Sequence, residues 1–226
     1  MFESDREGLE EVKGIIFDCY QTLIDIETDE DDLYTNEVVS KWLRYQGVKI
    51  GPQELRKEYK NKAKKRMDAS HEKYSEIKVE DVFAEICDEY SLWPIDEEKA
   101  AIDAARVFRS ASIRRFDVFP QSVKLLEMSK DLSLCVVSNA QRVFSELELK
   151  YLSLYHYFDF VLFSSDYGFK KPDERLFLTA LKRLKLEPGN ILAIGDTEEN
   201  DLIPPLELGM KTMHINEAWK LVADKE

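Results

Sequence analysis

No stretch of this sequence stays apolar over the roughly 20 residues that a membrane-crossing helix needs, so such a helix is not expected. Positive charge is also in short supply. Against 45 Asp and Glu there are 32 Lys and Arg, and the formal net charge of −13 repels phosphate backbones and anionic lipid surfaces. Neither a nucleic-acid partner nor a membrane partner is expected, which leaves room only for a local basic pocket. The three cysteines, Cys19, Cys87 and Cys135, are odd in number and widely separated, and they read as reduced thiols rather than a disulfide framework. With an acidic start (Glu3, Asp5, Glu7) unlike the basic start of a signal peptide, they point to a cytoplasmic protein. The histidines, His71, His156 and His214, have no ligand spacing, and no zinc site is expected. There is no internal repeat and no low-complexity segment.

What is present is ordinary globular material, 44% hydrophobic and 34% charged over 226 residues, long enough for one core with a smaller inserted domain. Residues 12–17 (VKGIIF) form a short apolar run suited to a strand buried on both faces of a parallel sheet. From about 30 to 115 the apolar positions recur at helical spacing, which predicts helices at 32–45, 52–69, 79–91 and 96–112 and no strand. Beyond Pro120 strands and helices alternate. Strands are expected to end at Ser138, Ser164, Gly195 and Asn216, with helices starting near Pro120, Gln141, Asp173 and Ile203, the last short and closing at Gly209. The pattern predicts an α/β fold. A Rossmann-like parallel sheet with helices on both faces would comprise 1–26 and 116–226, and a four-helix insert would comprise 27–115.

In an open parallel sheet the ligand crevice lies beyond the carboxyl ends of the strands. Asp18 directly follows GIIF, Ser138 and Asn139 close LCVV, Lys171 follows the next strand after a brief loop, and Asp196 follows ILAIG with Asp201 shortly after. Residues distant in sequence are thereby expected to meet at one place.

Taken in order, Asp18-Cys-Tyr-Gln-Thr22, Ser138-Asn139, Lys171-Pro172-Asp173 and Gly195-Asp196-Thr-Glu-Glu-Asn-Asp201 resemble the four motifs of the haloacid dehalogenase superfamily over nearly the whole chain. The resemblance implies a helical cap inserted after the first motif. It implies Asp18 as covalent nucleophile and a Mg2+ ion held by Asp18, Asp196 and the Tyr20 carbonyl, with Asp201 acting mainly through water. Lys171 would screen Asp18 and the phosphoryl group, Ser138 and the Asn139 backbone would bind phosphoryl oxygens, and Thr22 would brace the nucleophile loop. A carboxylate attacking a phosphate ester needs such positive charge, and magnesium favours hard oxygen ligands.

Tyr20 departs from the phosphatase pattern, in which a second aspartate protonates the leaving group. A phenol with a reference pKa near 10 is a poor proton shuttle near neutral pH. Tyrosine here resembles the metal-free L-2-haloacid dehalogenases, which lack the acid matching Asp196. Clustered carboxylates at 18, 196 and 201 are costly without a cation, so the weight falls on a Mg2+-dependent phosphatase of a small phosphorylated or otherwise anionic metabolite. The alternatives are a dehalogenase and a catalytically weak member that binds a partner. Tyr20 itself is open between packing and substrate contact, Gln21 stands where the motif usually has glycine, and Cys19 reads as a small buried filler. The basic run at 56–66 and Arg114 and Arg115 read as solvated charge, with substrate contact the lesser reading.

Overall fold

The computed structural model describes residues 10–223; the acidic start at Glu3, Asp5 and Glu7 lies outside them. In chain order the elements are β1 (Gly14–Phe17), β2 (Ile24–Thr28), α1 (Leu33–Tyr45), α2 (Pro52–Ala69), α3 (Val79–Tyr90), α4 (Glu97–Ser112), β3 (Ile113–Val118) and α5 (Pro120–Met128). Then come β4 (Ser133–Ser138), α6 (Arg142–Tyr151), β5 (Phe160–Phe163), α7 (Arg175–Leu184), β6 (Ile191–Gly195), α8 (Ile203–Glu207), β7 (Lys211–His214) and α9 (Ile215–Ala223).

Five strands form a parallel sheet in the order β5-β4-β1-β6-β7, with every residue of β1 buried. Because side chains alternate across a strand, the sheet feeds two separate cores. Ile15, Phe17, Val136, Phe163 and Ile194 pack with Leu125 and Leu126 of α5 and Ala218 and Val222 of α9. Ile16, Cys135, Val137, Leu162 and Ala193 face the other way, onto Leu176, Phe177 and Ala180 of α7. This is the expected α/β arrangement, helices on both faces of a buried parallel sheet.

The four helices of the insert pack α1 on α2 and α4, and α3 on α2 and α4. Val39, Leu43, Leu55, Phe83, Ile86, Ala104 and Phe108 form their core, which Val143 and Phe144 of α6 join from the sheet side. Local signals set the helix ends. Asp32 and Asp96 cap α1 and α4 by accepting from the Tyr34 and Lys99 amides, and Pro52 opens α2, where its missing N–H costs nothing. After α1 the chain turns at Gly47 (φ 89°), where an added Cβ would lie 2.5 Å from the Trp93 ring.

Three elements differ from the sequence expectation. An antiparallel ribbon of β2 and β3 connects the sheet to the insert, so 113–115 are extended rather than helical. Its pattern is masked in the sequence because a register shift at Glu27 and Thr28 interrupts the alternation and two exposed arginines sit in β3. The last strand ends at His214 instead of Asn216, and α8 is not the final helix. No glycine or proline separates β7 from α9, whose buried Ile215, Ala218 and Val222 follow helical spacing.

Candidate active site

Asp18 leaves the end of β1 with its amide donating to the Ile194 carbonyl of β6 at 2.9 Å, so the two strand ends deliver Asp18 and Asp196 side by side. The Lys171 ammonium enters from the loop after β5. It donates to Asp18 Oδ1 at 2.7 Å, to Asp201 Oδ1 at 2.6 Å and to the Val137 carbonyl at 2.9 Å, which uses its three protons. Asp201 Oδ2 accepts from the Thr197 amide at 3.0 Å. Gly195 makes this approach possible, since a Cβ there would lie 2.3 Å from the Asp201 Cβ. The main-chain carbonyl of Asp196 accepts from His214 Nε2 at 2.9 Å, and His214 Nδ1 accepts from the Asn216 amide, which fixes the ring's tautomer.

Asp18, Asp196 and Asp201 each offer a carboxylate oxygen, and these atoms lie within 4.8 Å of one another. Burial pushes the Asp18 carboxyl up to about 6; Lys171 opposes the shift, and Asp201 and Asp196 add to it. Asp196 is likewise raised, by burial and then by Asp201. Burial works against the Lys171 ammonium, but its two carboxylate partners outweigh it and hold the pKa above the ordinary lysine value. Three carboxylates facing one ammonium leave an excess of negative charge in a largely buried place. A divalent cation with oxygen ligands fits that donor set.

Ser138 is buried at the end of β4. The Asn139 side chain accepts from the Lys171 amide at 2.7 Å and donates to the Lys171 carbonyl at 3.0 Å, so it clasps the lysine loop and only its backbone is available to a ligand. Thr22 braces through its carbonyl, which accepts from Ser122 Oγ at 2.6 Å, while its buried hydroxyl has no partner among the described residues. Gln21 adopts the left-handed conformation that glycine would supply (φ 59°), and its side chain donates to the Ile26 carbonyl at 2.6 Å. Cys19 is fully buried in the sheet core.

The Tyr20 side chain is held by α6. Its hydroxyl donates to Glu148 Oε2 at 2.6 Å and lies 2.6 Å from Ser145 Oγ, both on α6. Arg109 of α4 donates to Glu148 Oε1 at 2.6 Å and stacks over the rings of Tyr20 and Phe144. Burial, and then the Glu148 charge, raises the Tyr20 phenol well above its ordinary value. Sequence reasoning missed Arg109, Ser145 and Glu148. The available signal was position: Arg109 continues the buried face of Ala101 and Ala105, and Glu148 stands one turn after Phe144.

The insert reaches the site through the residues that precede α3. The Glu76 amide donates to the Gly168 carbonyl, the Lys170 amide donates to the Tyr74 carbonyl, and Ser75 bridges Phe169, two residues before Lys171. The Glu76 carboxylate accepts from Ser164 Oγ at 2.7 Å and from Gln141 Nε2 at 3.1 Å. Most of the basic residues flagged in the sequence lie beside acidic partners: Arg56 and Lys60 pair with Asp31, Lys62 with Glu89, Lys64 with Asp68, Arg66 with Asp81 and Glu85, Arg114 with Asp32, and Arg115 with Asp25 and Glu27.

The haloacid dehalogenase-like hydrolase family model matches residues 12–204. A glyceraldehyde 3-phosphate phosphatase of Methanothermobacter thermautotrophicus is 32% identical over 88 residues, 39% of this chain and 39% of that protein. The chain spans about two fifths of the length of such curated relatives. Among solved structures, a 2-haloacid dehalogenase from Pseudomonas syringae is similar at a TM-score of 0.64 and 20% identity, covering 89% of this chain and 85% of that one. A HAD phosphatase from Thermococcus onnurineus is similar at 0.57 and 23%, with the same coverage. At these identities the likeness concerns the fold.

Proposed function

The chain belongs to the haloacid dehalogenase-like hydrolase family, and from that premise we propose that it is a Mg2+-dependent phosphatase acting on a small phosphorylated metabolite through Asp18. The observation that carries the reading is the grouping of three carboxylate oxygens within 4.8 Å around one ammonium. Displacement of halide at carbon has no need of that excess negative charge, whereas a cation-assisted phosphoryl transfer does. Asp18, Asp196 and the Tyr20 carbonyl would hold the ion, with Asp201 supporting. Bound there, Mg2+ would offset the repulsion between the phosphoryl oxygens and Asp18.

Asp18 attacks phosphorus, and its new O–P bond forms as the bond to the leaving oxygen breaks, the electron pair departing with that oxygen. Water then attacks phosphorus, the Asp18 carboxylate is released, and the protons of water end on phosphate and solvent. Lys171 keeps its proton throughout and screens the nucleophile, while Ser138 and the Asn139 backbone hold phosphoryl oxygens. Residues 27–115 act as the cap, whose approach through Tyr74, Ser75 and Glu76 to the Lys171 loop shields the site from water. A second reading, halide displacement from a small haloacid, is favoured by Tyr20 alone.

Purified protein should release phosphate from 4-nitrophenyl phosphate with Mg2+, lose that activity in chelator, and lose at least roughly 10³-fold in rate with Asp18→Ala. Chloride release from 2-chloropropionate that persists in chelator would favour the second reading. Failure to release phosphate from any activated ester would end the first.

A further inference from the structure

Departure of an alkoxide requires a proton, whereas an acidic phenol or a carboxylic acid leaves as a stable anion. Whichever group would supply that proton must lie near Asp18 with a hydrogen to give. Lys171 has its three protons on Asp18, Asp201 and the Val137 carbonyl. Asp201 is tied to Lys171 and to the Thr197 amide, and Glu76, the acid of the insert nearest the Lys171 loop, accepts from Ser164 and Gln141. Asp18 and Asp196 are occupied as nucleophile and cation ligand in the reading on which this inference rests.

That leaves Tyr20, two residues beyond the nucleophile. A phenol has a single proton to donate, and here it is directed at Glu148 Oε2 at 2.6 Å with Ser145 Oγ equally close on α6. Glu148 is buried against Arg109 through two bonds, at 2.6 and 3.3 Å.

We infer that among the described residues no side chain serves as acid for the leaving group, and that the substrates are phosphoryl compounds whose leaving groups depart as stable anions: acyl, enol or aryl phosphates rather than alkyl esters such as sugar phosphates. The same lack of a proton-transfer group affects the second half-reaction. Water must attack the Asp18 phosphoryl group without a nearby base, so this covalent species builds up when the first step is fast.

The test is a series of 2,4-dinitrophenyl, 4-nitrophenyl and phenyl phosphates with glycerol 3-phosphate as the alkyl member. Leaving-group release is followed in Mg2+, under single-turnover conditions for the rate of the first step and with substrate in excess for the burst. With charge on the leaving oxygen uncompensated, the rate should rise roughly tenfold per unit fall in leaving-group pKa, and the best substrates should give a burst equal to the enzyme concentration. Tyr20→Phe should keep the same steepness. A nearly flat series, or a variant steeper than the wild type, would overturn the inference while leaving the phosphatase reading intact. Absence of phosphate release from every member would sink that reading and this inference together.

Discussion

Asp18 must be an anion to react, yet burial favours its neutral form and raises its pKa from 3.8 to about 6. Between those two values the folded protein holds a proton that the unfolded chain has released, so stability contributed at this position falls as pH rises through the interval. The destabilisation is fully present above about 6 and relieved below 3.8. In chelator, Asp18→Asn should therefore stabilise the protein at pH 8, by up to roughly 3 kcal/mol at about 1.4 kcal/mol per pKa unit, and the gain should vanish toward pH 4. Urea denaturation at the two pH values reads both quantities, and a gain independent of pH would show that the carboxylate is not strained. The meeting of Asp18, Lys171, Asp196 and Asp201 was legible in sequence because parallel strands bring their carboxyl ends together. Arg109, Ser145 and Glu148 were not, because a charge on a helix reads as solvated until the helix opposite is known.

At the scale of elements the junction of α4 with α6 matters most, since it joins the insert to the sheet and carries the Arg109–Glu148 pair in a buried setting. Taking one partner from a buried ion pair leaves an uncompensated charge, at a cost of roughly 3–5 kcal/mol, whereas replacing both by apolar groups is often near neutral. Arg109→Leu and Glu148→Leu should each destabilise by about that amount, and the double variant should be more stable than either single one. A double-mutant cycle by chemical denaturation measures the coupling, and additive losses would mean that the pair contributes nothing as a pair. The strands of the main sheet and the helices of the insert were readable from apolar runs and helical spacing. The β2–β3 ribbon was not, because its strands are short, a register shift interrupts the alternation, and two exposed arginines sit in β3.

At the scale of the whole molecule, and beyond the β2–β3 ribbon, the insert meets the sheet unit at the α4–α6 junction and along the stretch that runs from Glu72 to Val79 over the Lys171 loop. The second contact could not be read from sequence, because it sits between helices, has no period, and uses backbone groups whose partners only the fold supplies. Its two acidic residues differ in kind. Glu72 pairs with Arg175 at the exposed rim, where water screens the two charges. Glu76 receives the Ser164 hydroxyl and the Gln141 amide, and its removal would leave polar groups without partners at a cost of roughly 1–3 kcal/mol. Glu76→Ala should accordingly free the stretch from the Lys171 loop, hastening proteolytic cleavage near Lys73 and Lys78 severalfold, whereas Glu72→Ala should leave cleavage close to wild type. Because local opening is read directly, a general loss of stability is distinguishable by cleavage elsewhere in the chain. Equal protection in both variants would mean that the backbone bonds of Tyr74 and Glu76 hold the insert down without the Glu76 carboxylate.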